Sequence, residues 1–235
     1  MLTTDTDDRL GQGAFWGEQR SIHARNLMRP ANPVFFALYP DLDTARHLGR
    51  LAWHLRSEHK LSGRPRANCC FHITLHGVGD YAILPRDAIA AIGEAVSAVT
   101  IPPFAVAFDR VMSFGRGPKR PLVLVGDFGV AGLLLLQHEL VAALRKIGFA
   151  PRKEQPYNPH VTLLYDESAI ANRSVEEIRW TVREFVLVRS LYGQGRHLAL
   201  ARWSLGVTAP RSGACSFFRS GLRVAGSGPV RRSDF

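Results

Sequence analysis

Lysine is scarce in this chain of 235 residues: Lys60, Lys119, Lys146 and Lys153 are the only four. The formal net charge is nevertheless +10 and the pI about 10.2, so arginine carries the positive excess. Arginine makes planar, bidentate contacts to phosphate, which suits polyanionic partners. A solvated arginine-rich surface gives the same balance, so charge alone does not choose between them. Cysteine is also rare. The vicinal Cys69 and Cys70 with Cys215 cannot build a disulfide framework and fit a reducing cytosol. Long hydrophobic runs are missing, for residues 133–136, the most apolar stretch, are far too short to cross a bilayer. The first residues carry Asp5, Asp7 and Asp8 and no apolar segment, which argues against a secretory signal. No Walker or nucleophile-elbow pattern occurs. The Gly-x-Gly fragments at Gly115 and Gly193 fall between expected strands and read as hairpin turns rather than phosphate loops. These absences point to a cytoplasmic protein with no membrane partner.

What is present is ordinary globular material, with 46% hydrophobic and 21% charged residues, enough for one sizeable core or two intimate lobes. Residues 1–31 lack apolar periodicity and read as a partly disordered leader. The run Val34-Phe35-Phe36-Ala37-Leu38 predicts a central strand ended by Tyr39-Pro40-Asp41. Asp43 or Thr44 can cap a helix with Leu48, Leu51, Ala52 and Leu55 inward. A second helix is expected from Asp87 to about Val99 behind Pro85, with Ala88, Ile89, Ile92 and Val96 inward, then strands over 104–114 and 122–125. A third helix spans about 132–145 and is stopped by Gly148. A further helix is expected from near Ser174, followed by strands around 185–191 and 197–205. Residues 207–235, with five Arg against one Asp, read as a flexible basic tail.

Two stretches stand out. Phe71-His72-Ile73-Thr74-Leu75 and Pro159-His160-Val161-Thr162-Leu163 each place a histidine and a threonine two residues apart in a strand-forming run. On a strand such residues share one face, while the apolar residues between them take the other. The histidines are 88 apart (160 − 72), as are the preceding strands (122 − 34) and the helix starts (132 − 44). Chance supplies a second His-x-Thr easily, but not the same element order at the same offsets. The chain therefore reads as an internal duplication, one domain over 32–206 made of pseudo-repeats at about 32–120 and 121–206.

Two lobes facing across a pseudo-two-fold axis would aim two histidines and two threonines into one cleft. That set suits metal-free phosphodiester cleavage. One neutral imidazole takes a proton from the attacking hydroxyl or water, and the other, protonated, gives one to the leaving oxygen. The threonine hydroxyls can donate to the non-bridging phosphate oxygens.

On the duplicated His-x-Thr-Leu motifs, the Phe-Phe-Ala-Leu strand and the closing strands, residues 33–206 resemble the 2H phosphoesterase superfamily, in its 2′-5′ RNA ligase / RNA 2′,3′-cyclic phosphodiesterase branch. The resemblance implies a bilobal α+β fold, with two sheets and flanking helices facing across a central cleft. It implies hydrolysis of RNA 2′,3′-cyclic phosphate ends to 2′-phosphates, with reversible 2′-5′ ligation in some members. A monomer without cofactor or metal is expected. By motif position His72 and His160 would be catalytic, and Thr74 and Thr162 would bind phosphate. Two departures bear on the nucleoside. Tyr165 stands where many relatives carry Arg five residues after the second histidine, and Gly77 where many carry an aromatic. Tyr165, Tyr157, Arg152 and Lys153 are the candidate replacements for base and phosphate contacts.

Competing readings weigh less. His72 and His76 form His-x-x-x-His, but on a strand they lie roughly 13 Å apart, too far for one zinc ion. Cys69 and Cys70 lie close to His72, but adjacent strand residues face opposite ways and nothing else in the repeat needs a thiol, so a thiol–imidazole nucleophile is disfavoured. The alternatives in function are small cyclic phosphate nucleotides or 2′-5′ oligoadenylates as substrates, and a non-catalytic RNA- or nucleotide-binding module. Retention of both histidines and both threonines favours the enzyme, because binding alone needs no paired acid and base.

Overall fold

The computed structural model describes residues 32–127, 129–150, 156–191 and 194–206. The leader, the tail and the Arg152–Lys153 segment lie outside them. In chain order the elements are β1 (Asn32–Leu38), α1 (Leu42–Glu58), a 3-10 turn (Asn68–Cys70), β2 (Ile73–Tyr81), α2 (Arg86–Val96), β3 (Phe104–Ser113), β4 (Arg120–Val125), α3 (Ala131–Lys146), β5 (Val161–Asp166), β6 (Arg173–Val182), β7 (Glu184–Leu191) and β8 (Arg196–Ser204).

The α+β class holds, but the strands form one eight-stranded sheet rather than two, in the order β6-β3-β4-β5-β2-β1-β7-β8. All its pairings are antiparallel. The seam between its halves is slender: β2 and β5 share the single register pair Ile73–Val161. Each half borrows strands across the duplication. β3 lies between β6 and β4, and β7 lies beside β1 with β8 outside it, so strands from 32–120 and from 121–206 are interleaved across the sheet.

The helix expected from Ser174 is instead the strand β6. Ile178, Trp180 and Val182 are buried in alternation with exposed Arg179 and Thr181, a period of two, and the Trp180 ring stacks on Phe108 at 5.5 Å. The N-cap of α1 also lies earlier than expected, at Asp41, whose carboxylate accepts from the Thr44 N–H at 2.8 Å. The other two helices match their expected places within a few residues. α3 comes so close to β3 that a Cβ on Gly132 would meet the Phe104 ring at 2.5 Å.

Burial separates the two faces of the sheet. Val34, Phe36, Leu38, Ile73, Leu75, Val161, Leu163, Leu164 and Leu187 join the inward residues of the three helices in one large core. A smaller apolar cluster of Phe35, Ala37, Val186 and Val188, with Tyr39 against it, forms the floor of the opposite face. Residues directly opposite in antiparallel strands share a face. The register Thr74–Ala37–Val186 therefore puts Thr74 on the same side as this floor.

Candidate active site

The duplicated motifs meet at the seam. Ile73 and Val161, the central residues of the two motifs, are its register pair and are fully buried on the helix-covered face. The alternating side chains, His72 and Thr74 on one side and His160 and Thr162 on the other, consequently share the opposite face and are all half-buried. The duplication extends to a matching bulge. Leu75 is the extra residue between Thr74 and His76 in β2, and Leu163 the extra residue between Thr162 and Leu164 in β5. Each bulge sends two successive side chains into the core and returns the next residue to the cleft face. In β2 that residue is Gly77, and in β5 it is Tyr165, 39% exposed, with the Lys119 ammonium 5.9 Å from its ring centroid.

Both motif histidines are held in the same way. His72 Nδ1 lies 2.8 Å from the Cys70 carbonyl oxygen and His160 Nδ1 lies 2.7 Å from that of Asn158. A carbonyl only accepts, so each Nδ1 carries the proton and donates it. Each Nε2 is thereby left with a free lone pair in the neutral ring, the form a general base needs. Ring contacts complete the alignment. Phe35 stacks on His72 at 5.1 Å, and Phe114 meets His160 edge-on at 5.2 Å. Burial pushes the pKa of His72 down to about 3, with His197, Arg66 and His160 adding to the effect. Burial also lowers that of His160. Without an anion in the cleft both rings are neutral at pH 7. A bound phosphate supplies the negative charge that lets one of them take up a proton.

The remaining expected residues divide. Tyr165 faces the cleft. Tyr157 packs against the main core, and its hydroxyl donates to the Thr74 carbonyl oxygen at 3.0 Å. It therefore braces β2. Arg152 and Lys153 lie outside the described residues. His76 is buried with Nε2 3.1 Å from the Phe149 carbonyl oxygen. No cluster of metal-ligating side chains occurs among the described residues. Cys70 is buried, its thiol donating to the Gly195 carbonyl oxygen at 2.9 Å, while Cys69 is exposed.

The structure adds residues that the motifs did not reveal. His197 of β8 sits edge-on to His72 with centroids 5.0 Å apart, and its Nδ1 lies 2.9 Å from the Tyr39 hydroxyl. Burial, then the charge of Arg66, lowers the His197 pKa to about 4. The sequence marked both a strand near His197 and the duplication. The register that pairs Ser190 with His197, and the interleaving of strands that carries β8 to the first half, exist only in three dimensions.

The chain is similar to known proteins over most of its described residues. The 2′-5′ RNA ligase superfamily matches residues 40–194. The chain is 33% identical over 94 residues to the RNA 2′,3′-cyclic phosphodiesterase of Aeropyrum pernix, covering 40% of this chain and about half (51%) of that protein's length. It is 27% identical over 187 residues to the RNA 2′,3′-cyclic phosphodiesterase of Escherichia coli, covering 73% of this chain and 96% of that one. Among solved structures, E. coli LigT complexed with 3′-AMP superposes with a TM-score of 0.62 at 24% identity, covering 74% of this chain and 98% of that one.

Proposed function

Because the chain belongs to the 2′-5′ RNA ligase superfamily, we propose that it is a metal-independent phosphoesterase that opens RNA 2′,3′-cyclic phosphate ends to 2′-phosphates. The observation that carries the reading is the matched pair of histidines at the seam, each with Nδ1–H fixed on a carbonyl two residues earlier. Both curated relatives above are named for RNA 2′,3′-cyclic phosphate.

In this reading one histidine, neutral at Nε2, accepts a proton from water as its oxygen bonds to phosphorus. The second, protonated when the phosphate binds, donates to O3′ as the P–O3′ bond breaks. The product keeps its phosphate on O2′, and the two histidines exchange protonation states. Thr74 and Thr162 donate to the non-bridging oxygens, where charge-assisted hydrogen bonds are strongest. Run in the same direction with an RNA 5′-hydroxyl in place of water, the same steps form a 2′-5′ linkage without ATP, and their reversal breaks it. Tyr165 offers a face on which a base can stack. The arginine excess suits long RNA held by its backbone, and the free Cys69 and Cys70 suit the reducing cytoplasm, where we place the protein as a monomer.

The test is to incubate the purified protein with an oligonucleotide ending in a 2′,3′-cyclic phosphate and identify the product end. A 2′-phosphate is expected, and a 3′-phosphate or no turnover refutes the reading. Turnover of small cyclic phosphate nucleotides or 2′-5′ oligoadenylates alone moves the substrate class to those ligands.

A further inference from the structure

The cleft lacks an arginine at Tyr165, yet phosphate binding calls for a positive charge beside the neutral rings. We propose that Arg66, in the loop ahead of the first motif, is the cation that grips the phosphate, with His197 as a second donor beside His72. This rests on the phosphoesterase reading and adds to it a phosphate-binding pair outside the two motifs.

Position comes first. The loop between α1 and the 3-10 turn is clamped onto β5, the strand of the second motif. The Arg66 N–H donates to the Leu163 carbonyl oxygen at 2.9 Å. The Gly63 N–H and the Ser62 hydroxyl donate to the Asp166 carboxylate at 2.6 and 3.1 Å. Arg56 Nε donates to the Gly63 carbonyl oxygen at 3.1 Å. Gly63 lies so near β5 that a Cβ there would come within 1.9 Å of the Tyr165 carbonyl oxygen. Arg66 is therefore fixed at the seam before any ligand arrives, which lowers the entropy cost of binding.

Availability comes next. Arg110, on β3, pairs with Asp127 and Asp109, and Arg202, on β8, pairs with Glu184. Arg66 has no carboxylate partner among the described residues, and its Nε is buried without a hydrogen-bond partner there. An unpaired buried N–H is costly, and an anionic oxygen removes that cost. The charge of Arg66 reaches His72, His197 and Tyr39: it adds to the lowering that burial gives the two histidines and opposes the rise that burial gives Tyr39. The Tyr39 phenol stays protonated because burial raises its pKa, so it can donate to His197 Nδ1. His197 then carries its proton on Nε2, a donor for phosphate. The guanidinium fork and this N–H together match the oxygens of a 2′,3′-cyclic phosphate or a 2′-phosphate.

The experiment measures binding of adenosine 2′-monophosphate to the full chain by calorimetry, with adenosine as the phosphate-free control. Arg66→Gln keeps the backbone bond to Leu163 and removes the charge. Affinity for the 2′-monophosphate should fall about 10–100-fold, the effect of losing a hydrogen bond to a charged group, while adenosine binding holds. Arg66→Lys should recover part of the loss, and His197→Phe, which keeps the ring packing, should weaken the 2′-monophosphate several-fold. On the unaltered protein, the 2′-monophosphate should slow modification of Arg66 by an arginine-selective glyoxal, read by peptide mass, and adenosine should not. Unchanged affinity in Arg66→Gln, or no protection of Arg66, overturns the proposal. If the unaltered protein opens cyclic phosphates while Arg66→Gln binds normally, only the Arg66 assignment falls. If Arg66 is protected but no cyclic phosphate is opened, the phosphoesterase reading falls and the anion site stands.

Discussion

Acid should destabilise this fold through the histidines of the cleft, and His72 allows the size to be worked out. Its ordinary pKa is 6.5 and its folded value about 3. Between those values the unfolded chain holds a proton that the folded chain does not. Stability therefore rises with pH through the window and falls on acidification from 6.5 towards 3. At pH 5 the gap below 6.5 is 1.5 units, which at 1.36 kcal/mol per unit is about 2 kcal/mol from this one ring. His197, lowered to about 4, works in the same direction, but the two rings touch, so their effects do not simply add. Urea denaturation at pH 7 and pH 5 measures the loss. His72→Asn keeps an N–H near the Nδ1 position for the Cys70 carbonyl and removes the titration. Its stability should fall by about 2 kcal/mol less than that of the unaltered protein between the two pH values. Equal losses would refute burial of a neutral His72 in the folded state. A saturating 2′-nucleotide should shrink the loss in the unaltered protein, because the bound phosphate raises the folded-state pKa.

The remaining expectations concern positions around the site. Tyr165→Ala should mainly raise KM for an RNA end, by a factor set by roughly 1–3 kcal/mol of stacking, and Tyr165→Phe should restore it; unchanged kinetics in both variants place the base elsewhere. Gly63→Ala, forced against the Tyr165 carbonyl, should lower the Tm and weaken binding of the 2′-monophosphate through the displaced loop, as thermal unfolding and calorimetry would show. Trp180→Ala should cost about 3–5 kcal/mol in denaturant unfolding, the range for deleting a buried aromatic, because β6 buries Trp180 on Phe108. Treatment with EDTA should leave turnover unchanged, since the acid, the base and the phosphate donors are all side chains.

The shared face of the two His-x-Thr pairs was legible in the sequence because a two-residue spacing on a strand fixes it. The common offset of 88 ties the two copies together by spacing alone. Helices whose apolar positions recur along one stripe, such as Leu48, Ala52 and Leu55 in α1, were equally plain. β6 was not, because Glu176, Glu177 and Arg179 give its solvent side the look of a charged helix. Its alternation shows only once Ile178, Trp180 and Val182 are seen to be buried. The single sheet escaped notice because its halves are joined at just one register pair, which no residue type announces. His197 and Arg66 carry no motif. One reaches the cleft by the interleaving of strands and the other by a loop clamped through backbone bonds, and neither leaves a periodic trace. Tyr157, an aromatic three residues before a motif histidine, looks like a base platform in the sequence, and its hydroxyl bond to the Thr74 carbonyl shows only in three dimensions.

The central claim is that His72 and His160 act as one acid–base pair, and turnover of a 2′,3′-cyclic-phosphate oligonucleotide by His72→Ala, His160→Ala and the double variant tests it most directly. Each single replacement should lower kcat by roughly 10²–10⁴-fold. The double replacement should be little worse than either, because groups that work as a unit do not contribute additively. A single variant that retains full activity, or a double variant whose loss is the product of the two single losses, would contradict the paired mechanism.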